Sequence, residues 1–102
     1  MRVLILGANG MMGPWVSKLL KKDHEIIETD LVKIDSNINF YKIDISNLNE
    51  VLEISKNVDA IINLSVYRKD RDLAFNVNTL GTYNMMKAAE ENKISRIINT
   101  GP

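Results

Sequence analysis

The sequence predicts an α/β domain with a doubly wound parallel sheet of five strands in the order 3-2-1-4-5. Three observations support this fold class. Short runs rich in Val, Leu and Ile alternate with helical patterns along the whole chain. The first run is apolar at every position, as in a central strand that helices cover on both faces. A glycine-rich segment follows that run directly and opens the first helical pattern, as in many parallel α/β domains.

The predicted elements follow one another at even intervals. Each strand is a short apolar run, and each helix has apolar residues spaced three or four positions apart. Ser46 is the predicted N-cap of the second helix. The connection 31–38 is too short for a full helix, and no boundary divides the chain, so we expect one domain over 1–102. The elements are strand 3–6, helix 11–22, strand 25–29, strand 39–43, a helix carrying 48–55, strand 60–64, a charged connection 68–72, a helix through 80–88 and strand 96–99.

Composition and charge exclude several classes of function. Basic and acidic residues number 13 each, so the formal net charge is +0, and no strong field attracts nucleic acid or an anionic membrane. The lack of cysteine excludes disulfides, thiolate catalysis and Cys-based metal sites, and the single histidine excludes a multi-His site. The amino-terminal apolar run is too short for a signal peptide or a membrane span. We therefore expect a cytoplasmic protein without a metal centre and without a nucleic-acid or membrane partner.

The strongest functional signal is the segment Gly7-Ala8-Asn9-Gly10-Met11-Met12-Gly13 between the first strand and the first helix. Gly7 allows a tight turn, Gly10 leaves room for a pyrophosphate, and Gly13 lets the helix lie close to the sheet. Free N–H groups at the helix start would face the phosphates. The spacing is G-x-x-G-x-x-G rather than G-x-G-x-x-G, and a glycine-rich turn without a ligand is the alternative. At this position the motif predicts a dinucleotide-binding loop made of Gly7, Asn9, Gly10, Met11, Met12 and Gly13.

Two acidic residues that follow the next strands are candidate contacts to an adenosine. Asp30 lies seventeen positions after Gly13, close to the separation of about 20 expected for a ribose-binding acid. Its carboxylate could accept hydrogen bonds from both ribose hydroxyls and would repel a 2′-phosphate, which favours NAD over NADP. A solvated loop acid or a helix cap is the alternative. Asp44 and Ile45 could meet the adenine edge, or Asp44 could be a turn acid that precedes the Ser46 cap.

Four segments together resemble the start of an extended short-chain dehydrogenase/reductase of the NAD-dependent epimerase/dehydratase family, which has a Rossmann, NAD(P)-binding fold. They are the opening strand with its glycines, the second strand with its acidic end, the fourth strand, and the start of the helix after it. The fourth strand ends in Asn63-Leu64-Ser65 where the family usually has His-Leu-Ala, and residues 78–84 resemble Asn-x-x-Gly-Thr-x-Asn. The resemblance covers the whole chain.

The resemblance implies further site residues and a function. Leu64, Ser65 and Val66 would line the cofactor cleft beyond the fourth strand. Asn78 would sit near the cofactor or, alternatively, would be a helix-interior Asn bonded to backbone. The implied function is the NAD-binding portion of an epimerase, dehydratase or reductase acting on a nucleotide sugar or similar hydroxylated substrate. The alternatives are a stand-alone dinucleotide-binding or redox-sensing module without turnover, and a fragment that keeps the fold but binds nothing.

No residue of the chain is predicted to be catalytic. Family members are longer, and their Tyr-x-x-x-Lys segment lies beyond the fifth strand, so we expect this chain to be truncated. Pro102 occupies approximately the place of the family's catalytic hydroxyl, with Thr100 as the candidate substitute. Residues 83–87 have the literal Tyr-x-x-x-Lys spacing, but they fall where the family has non-catalytic helix positions. We interpret them as an i, i+4 pair on a helix flank.

The fifth strand is expected to be an open edge of the sheet. It carries Ile97 and Ile98, and Arg96 is the only charged residue of the strand. An apolar edge with few charges can pair with another chain. We therefore expect self-association through this edge.

Overall fold

A computed structural model describes residues 1–32 and 39–100 of the chain. In this part, five parallel strands form one sheet in the predicted order β3-β2-β1-β4-β5. Most of the predicted connection 31–38 lies outside the described residues, as does Pro102. The strands are β1 Arg2–Leu6, β2 Glu25–Asp30, β3 Phe40–Lys42, β4 Ala60–Asn63 and β5 Arg96–Asn99, and the helices are α1 Gly13–Leu20, α2 Leu48–Ile54, α3 Arg71–Ala74 and α4 Gly81–Glu91, with a π-helical segment Phe75–Leu80 between α3 and α4.

β1 lies at the centre of the sheet because it is apolar on both faces. Residues 3–6 are at most 3% exposed. Alternate side chains of a strand point to opposite faces, so Leu4 and Leu6 pack in the core that contains residues of α2 and α4. Val3 and Ile5 pack in the second core, against which α1 lies. The helices therefore cover β1 from both sides, which confirms the doubly wound architecture.

The first helix begins later and ends earlier than the sequence predicts. α1 starts at Gly13 rather than residue 11 and ends at Leu20 rather than residue 22. The segment before it forms successive tight turns, because Gly10 N–H donates to Gly7 O at 3.2 Å and Gly13 N–H donates to Gly10 O at 3.3 Å. The glycine-rich segment is thus a separate loop between β1 and α1.

The predicted N-cap of the second helix is wrong by one residue. Asn47, not Ser46, caps α2, since its Oδ1 accepts a hydrogen bond from Glu50 N–H at 3.2 Å. Ser46 instead donates from both its backbone N and its Oγ to Asp44 Oδ1, at 2.9 and 2.6 Å. Two adjacent residues with good capping side chains therefore take different roles.

The helical region 71–91 is not one regular α-helix. Asp70 caps α3 by accepting from Leu73 N–H at 3.0 Å, so the helix begins inside the predicted charged connection. The π-helical segment Phe75–Leu80 follows, and its one buried residue is Val77. α4 begins at Gly81, where a Cβ would lie 2.7 Å from Ile45 Cγ2. Gly81 therefore permits close packing of this helix against Ile45.

β5 is an open edge among the described strands, because it pairs only with β4. Ile98 of this strand is 58% exposed. It also lines an apolar groove together with Val3, Leu20 and Ile62, on a sheet face that α1 covers only in part. In the described part of the chain, no helix is long and apolar enough to cross a membrane.

Candidate functional site

A cleft opens at the carboxyl ends of the strands, between the segments that follow β1 and β4. The strand order reverses here, and open α/β sheets bind ligands at such a switch point. Its cavity volume is about 100 Å³, below the roughly 300–1,000 Å³ of common small-molecule sites, so its walls would enclose only part of a dinucleotide. The cleft is lined by Leu6, Gly7, Gly10, Thr29, Asp30, Leu31, Ile43, Ile45, Leu64, Ser65, Val66, Tyr67 and Val77.

The first turn of the glycine-rich loop is held between β2 and the segment after β4. Gly7 N–H and Ala8 N–H both donate to Thr29 O, at 3.0 and 2.9 Å. Gly7 has a φ of +81°, which L side chains rarely adopt. A Cβ there would also lie 2.6 Å from Ser65 N. Only glycine lets the chain leave β1 at this angle and this close to the neighbouring segment.

The other two glycines of the loop have different surroundings. Among the described residues, a Cβ on Gly10 would meet only Gly7 O within 4 Å, at 3.5 Å, and Gly10 is an exposed part of the cleft wall. A Cβ on Gly13 would overlap the carbonyl group of Ala8. The close approach at Gly13 is therefore to the loop's own backbone, not to the sheet as the sequence predicts. At Gly10, by contrast, no atom in the described part of the chain requires a glycine.

Asp30, the last residue of β2, directs its carboxylate towards the loop. Its Oδ2 accepts a hydrogen bond from Asn9 N–H at 2.9 Å, and its Oδ1 accepts one from Leu31 N–H at 2.8 Å. The Asn9 side chain also donates from Nδ2 to Val32 O at 2.6 Å. A carboxylate has about four acceptor positions, so Asp30 retains capacity for further donors on the cleft side.

Asp44 and Ile45 are adjacent but differ in position. The Asp44 carboxylate receives the two hydrogen bonds from Ser46, and Asp44 N–H donates to Glu50 Oε1 at 3.1 Å. These bonds match the turn-acid alternative. Ile45 is buried, lines the cleft, and accepts from Asn84 Nδ2 through its carbonyl at 3.0 Å. Of the two, only Ile45 belongs to the cleft wall.

Asn78 supports the cleft wall through its side-chain amide. Asn78 Oδ1 accepts from Tyr67 N–H at 3.0 Å, and Asn78 Nδ2 donates to Tyr67 O at 2.8 Å. The side chain is thus bonded to backbone, as in the alternative for this residue, but that backbone belongs to the segment that lines the cleft. At the other end of the segment, Ser65 N–H donates to the side chain of Asn63 at 3.0 Å. These three hydrogen bonds fix the course of residues 64–67.

The cleft contains some of the predicted residues and several that the sequence did not suggest. The structure does not place six of the predicted residues in the cleft lining: Asn9, Met11, Met12, Gly13, Asp44 and Asn78. Met11 is 93% exposed. Four of the additional residues follow the rule that strand ends meet at one edge of a parallel sheet, which could have identified them. The other two are Tyr67, which Asn78 holds by hydrogen bonds, and Val77, which lies in the π-helical segment. No sequence pattern predicts either feature. The additional residues are Leu6, Thr29, Leu31 and Ile43, and then Tyr67 and Val77.

Residues with catalytic potential in the sequence lie in ordinary structural surroundings. Tyr83 is exposed on α4, and Lys87 Nζ lies 3.6 and 3.8 Å from carboxylate oxygens of Glu90 and Glu91. Neither Tyr83 nor Lys87 lines the cleft. Thr100 Oγ1 donates to Asn63 O at 2.8 Å. Within residues 1–32 and 39–100, no group of three or more His, Asp or Glu side chains could hold a metal ion.

The sheet order, the helices on both faces and the glycine loop at the switch point define a doubly wound α/β domain of the Rossmann type. Comparison with protein families agrees with this class. The chain belongs to the NAD dependent epimerase/dehydratase family, which it matches over residues 3–101.

Solved structures similar to this chain include sugar-acid dehydrogenases. Uronate dehydrogenase from Agrobacterium tumefaciens is 26% identical, with a TM-score of 0.84, over 96% of this chain and 39% of that chain. A mutant of that enzyme complexed with NAD gives the same values. Glucuronic acid dehydrogenase from Chromohalobacter salexigens is 25% identical, with a TM-score of 0.83, over 94% of this chain and 38% of that chain. The chain therefore spans about two fifths of the length of these structures, and no curated protein matches it.

Proposed function

We propose that this chain binds NAD in the cleft between β1 and β4, as the cofactor-binding domain 1–102 of an NAD-dependent epimerase, dehydratase or reductase. The observation that carries the proposal is the open space at Gly10. Gly10 lies on the cleft wall, and among residues 1–32 and 39–100 no atom prevents a side chain there. A glycine at such a position suits a ligand that must approach the backbone closely, as a pyrophosphate does.

The loop and the start of α1 would hold the pyrophosphate. Gly7 and Asn9 precede Gly10, and Met11, Met12 and Gly13 lead into the helix, so backbone N–H groups of this stretch lie at the positive end of the helix dipole. Met11 and Met12 have exposed side chains, and their proposed role is through the backbone. The N–H groups of the other loop residues named here already donate within the protein. The N–H groups of Met11 and Met12 would therefore donate to the phosphate oxygens, without a charged side chain.

The adenosine half would lie towards β2 and β3. The Asp30 carboxylate would accept hydrogen bonds from the two ribose hydroxyls, which favours NAD over NADP. Ile45 would contact the adenine with its buried side chain, and Asp44 would offer its remaining acceptor positions to the adenine edge. Leu64, Ser65 and Val66 would face the cofactor from the opposite wall, with Asn78 as their support.

The proposed substrate is a nucleotide sugar or a similar hydroxylated compound. Its support is the family membership together with the structural similarity to uronate and glucuronic acid dehydrogenases. In that chemistry the nicotinamide accepts or returns a hydride. The proposal assigns no catalytic role to residues 1–102, because Tyr83 and Lys87 lie on a helix flank and Thr100 bonds to backbone.

We further propose a cytoplasmic location and self-association through the edge of β5. The lack of cysteine supports a reducing compartment. The open side of β5 and the exposure of Ile98 support pairing with a second copy.

Titration of the chain with NAD tests the proposed cofactor. At a concentration one hundred times Kd, a ligand stabilises the native state by about 2.7 kcal/mol, which for a domain of this size raises Tm by roughly ten degrees or more. Trp15, the only tryptophan, is 69% exposed on α1 close to the loop, so its fluorescence should also respond. NADP serves as the comparison ligand. If neither Tm nor Trp15 fluorescence changes with NAD, the proposed function is wrong.

A further inference from the structure

We infer that Asn9 determines the preference for NAD over NADP, because it holds the Asp30 carboxylate in a fixed direction. The inference rests on the proposed function and assigns Asn9 a positioning role, exerted through Asp30. It explains why an asparagine, and not a smaller residue, lies between the first two glycines of the loop.

Asn9 connects the glycine-rich loop to Asp30 and to Val32, the two residues that flank Leu31. Its backbone N–H donates to Asp30 Oδ2 at 2.9 Å, and its side-chain Nδ2 donates to Val32 O at 2.6 Å. Leu31 N–H donates to the second oxygen, Asp30 Oδ1, at 2.8 Å. The carboxylate is therefore held by one N–H from the loop and one from the segment that Asn9 ties to the loop.

The side-chain bond of Asn9 matters because the segment it holds is exposed. Val32 is 69% exposed, and Leu31 is also exposed, so packing contributes little to their position. Without the Asn9 amide, residues 31 and 32 would separate from the loop more easily, and Asp30 would lose its fixed direction. Asn9 Oδ1 is buried and accepts no hydrogen bond from the described residues, which is unfavourable. A contribution to stability alone therefore does not explain why position 9 is an asparagine.

A fixed carboxylate discriminates between the two cofactors more strongly than a mobile one. The free acceptor positions of Asp30 would point at the two ribose hydroxyls of NAD, which donate to them. In NADP one hydroxyl is replaced by a phosphate that is negatively charged and would meet the same carboxylate. A carboxylate held by Asn9 and Leu31 could not rotate away from this phosphate, so the repulsion between the two negative groups would not be reduced.

A double-mutant cycle tests this coupling in the full chain. Kd values for NAD and NADP are measured by calorimetry for the wild type, Asn9→Ala, Asp30→Ala and the double variant, with Asn49→Ala, an exposed position on α2, as the matched control. We expect Asn9→Ala to weaken NAD about threefold to tenfold, the range for one net hydrogen bond. NADP should bind equally well or better. In the Asp30→Ala background, Asn9→Ala should change neither Kd further, and Asn49→Ala should behave as the wild type.

Two results would overturn the inference and leave the NAD proposal intact. One is an equal weakening of NAD and NADP by Asn9→Ala, and the other is an undiminished effect of Asn9→Ala in the Asp30→Ala background. Either result would mean that Asn9 only stabilises the loop. If Asn9→Ala does not fold, Asn9→Ser replaces it, because a serine hydroxyl is too short to reach Val32 O. A wild-type chain that does not bind NAD would instead refute the proposed function, and this inference with it.

Discussion

Alanine substitutions at the first two glycines of the loop should separate folding from cofactor binding. Gly7 and Gly10 are three positions apart in the same loop, and both line the cleft. Their surroundings differ, since Gly7 has a positive φ and is crowded by the segment after β4, whereas a Cβ on Gly10 would make only an ordinary van der Waals contact with the described residues. The same small substitution should therefore have opposite consequences at the two positions.

For Gly7→Ala we expect a large loss of stability. A non-glycine residue in a left-handed conformation costs roughly 1–2 kcal/mol, and φ at Gly7 is +81°. The added Cβ would lie 2.6–2.8 Å from backbone atoms of Leu64 and Ser65, and accommodating such overlap costs a further 1–3 kcal/mol or so. The free energy of unfolding should fall by about 2–5 kcal/mol in all, a large fraction of the roughly 5–15 kcal/mol of a typical domain.

For Gly10→Ala we expect little change in stability and a clear loss of NAD binding. Among the residues that the structure describes, the added Cβ would have one neighbour, Gly7 O at 3.5 Å, so the free energy of unfolding should stay within about 0.5 kcal/mol of the wild type. The methyl group would occupy the space that the pyrophosphate needs. We expect an increase in Kd for NAD of at least about tenfold, equivalent to about 1.4 kcal/mol.

Urea unfolding followed by circular dichroism measures the first quantity, and calorimetric titration with NAD measures the second. If Gly10→Ala binds NAD as tightly as the wild type, the pyrophosphate does not lie over the loop. If Gly10→Ala loses as much stability as Gly7→Ala, the position of Gly10 does not have room for a side chain.

Three further substitutions test the cleft wall, the sheet edge and the Tyr-x-x-x-Lys pair. Asn78→Ala removes the hydrogen bonds to the backbone N–H and C=O of Tyr67. The free energy of unfolding should therefore fall by about 1–3 kcal/mol, and NAD should bind more weakly; unchanged binding in calorimetry would contradict the role given to residues 64–67. Ile98→Lys places a charge on the open strand and should reduce self-association in analytical ultracentrifugation without weakening NAD, and an unaltered sedimentation profile would speak against pairing through β5. Tyr83→Phe should leave NAD affinity unchanged and stability within about 0.5 kcal/mol, since Tyr83 is exposed on α4; a tenfold loss of affinity in the same titration would show that the pair with Lys87 has a function after all.

The topology was predictable because its signals are local. The continuous apolar run of β1 requires cover on both faces, and helices provide it from both sides. The sequence also predicts a tight turn at Gly7, where this strand ends, and the structure shows the positive φ that such a turn requires. The family resemblance was also recognisable, because it rests on four segments of contiguous residues.

Contacts between distant segments could not be predicted in the same way. Ser46 and Asn47 both have side chains that cap helices well, and only the bond of Ser46 to Asp44 decides between them. The partner of Gly13 is a carbonyl of its own loop, which becomes clear only once the loop is folded. The bond between Asn9 and Val32 joins residues from two strand ends, and neither residue has a pattern that points to the other.

The structure of the cleft wall depends on the number of residues in the π-helical segment. A π turn contains about one residue more than an α turn, and each residue of an α-helix rotates the helix by about 100°. Deletion of one residue within Phe75–Leu80 would restore regular helix geometry and turn Asn78 away from Tyr67. Such a shortened chain would form a more regular helix and lose the support of residues 64–67. A related sequence with one residue fewer in this segment would therefore have a regular α-helix here, and its cleft wall would lack the support that Asn78 gives to residues 64–67.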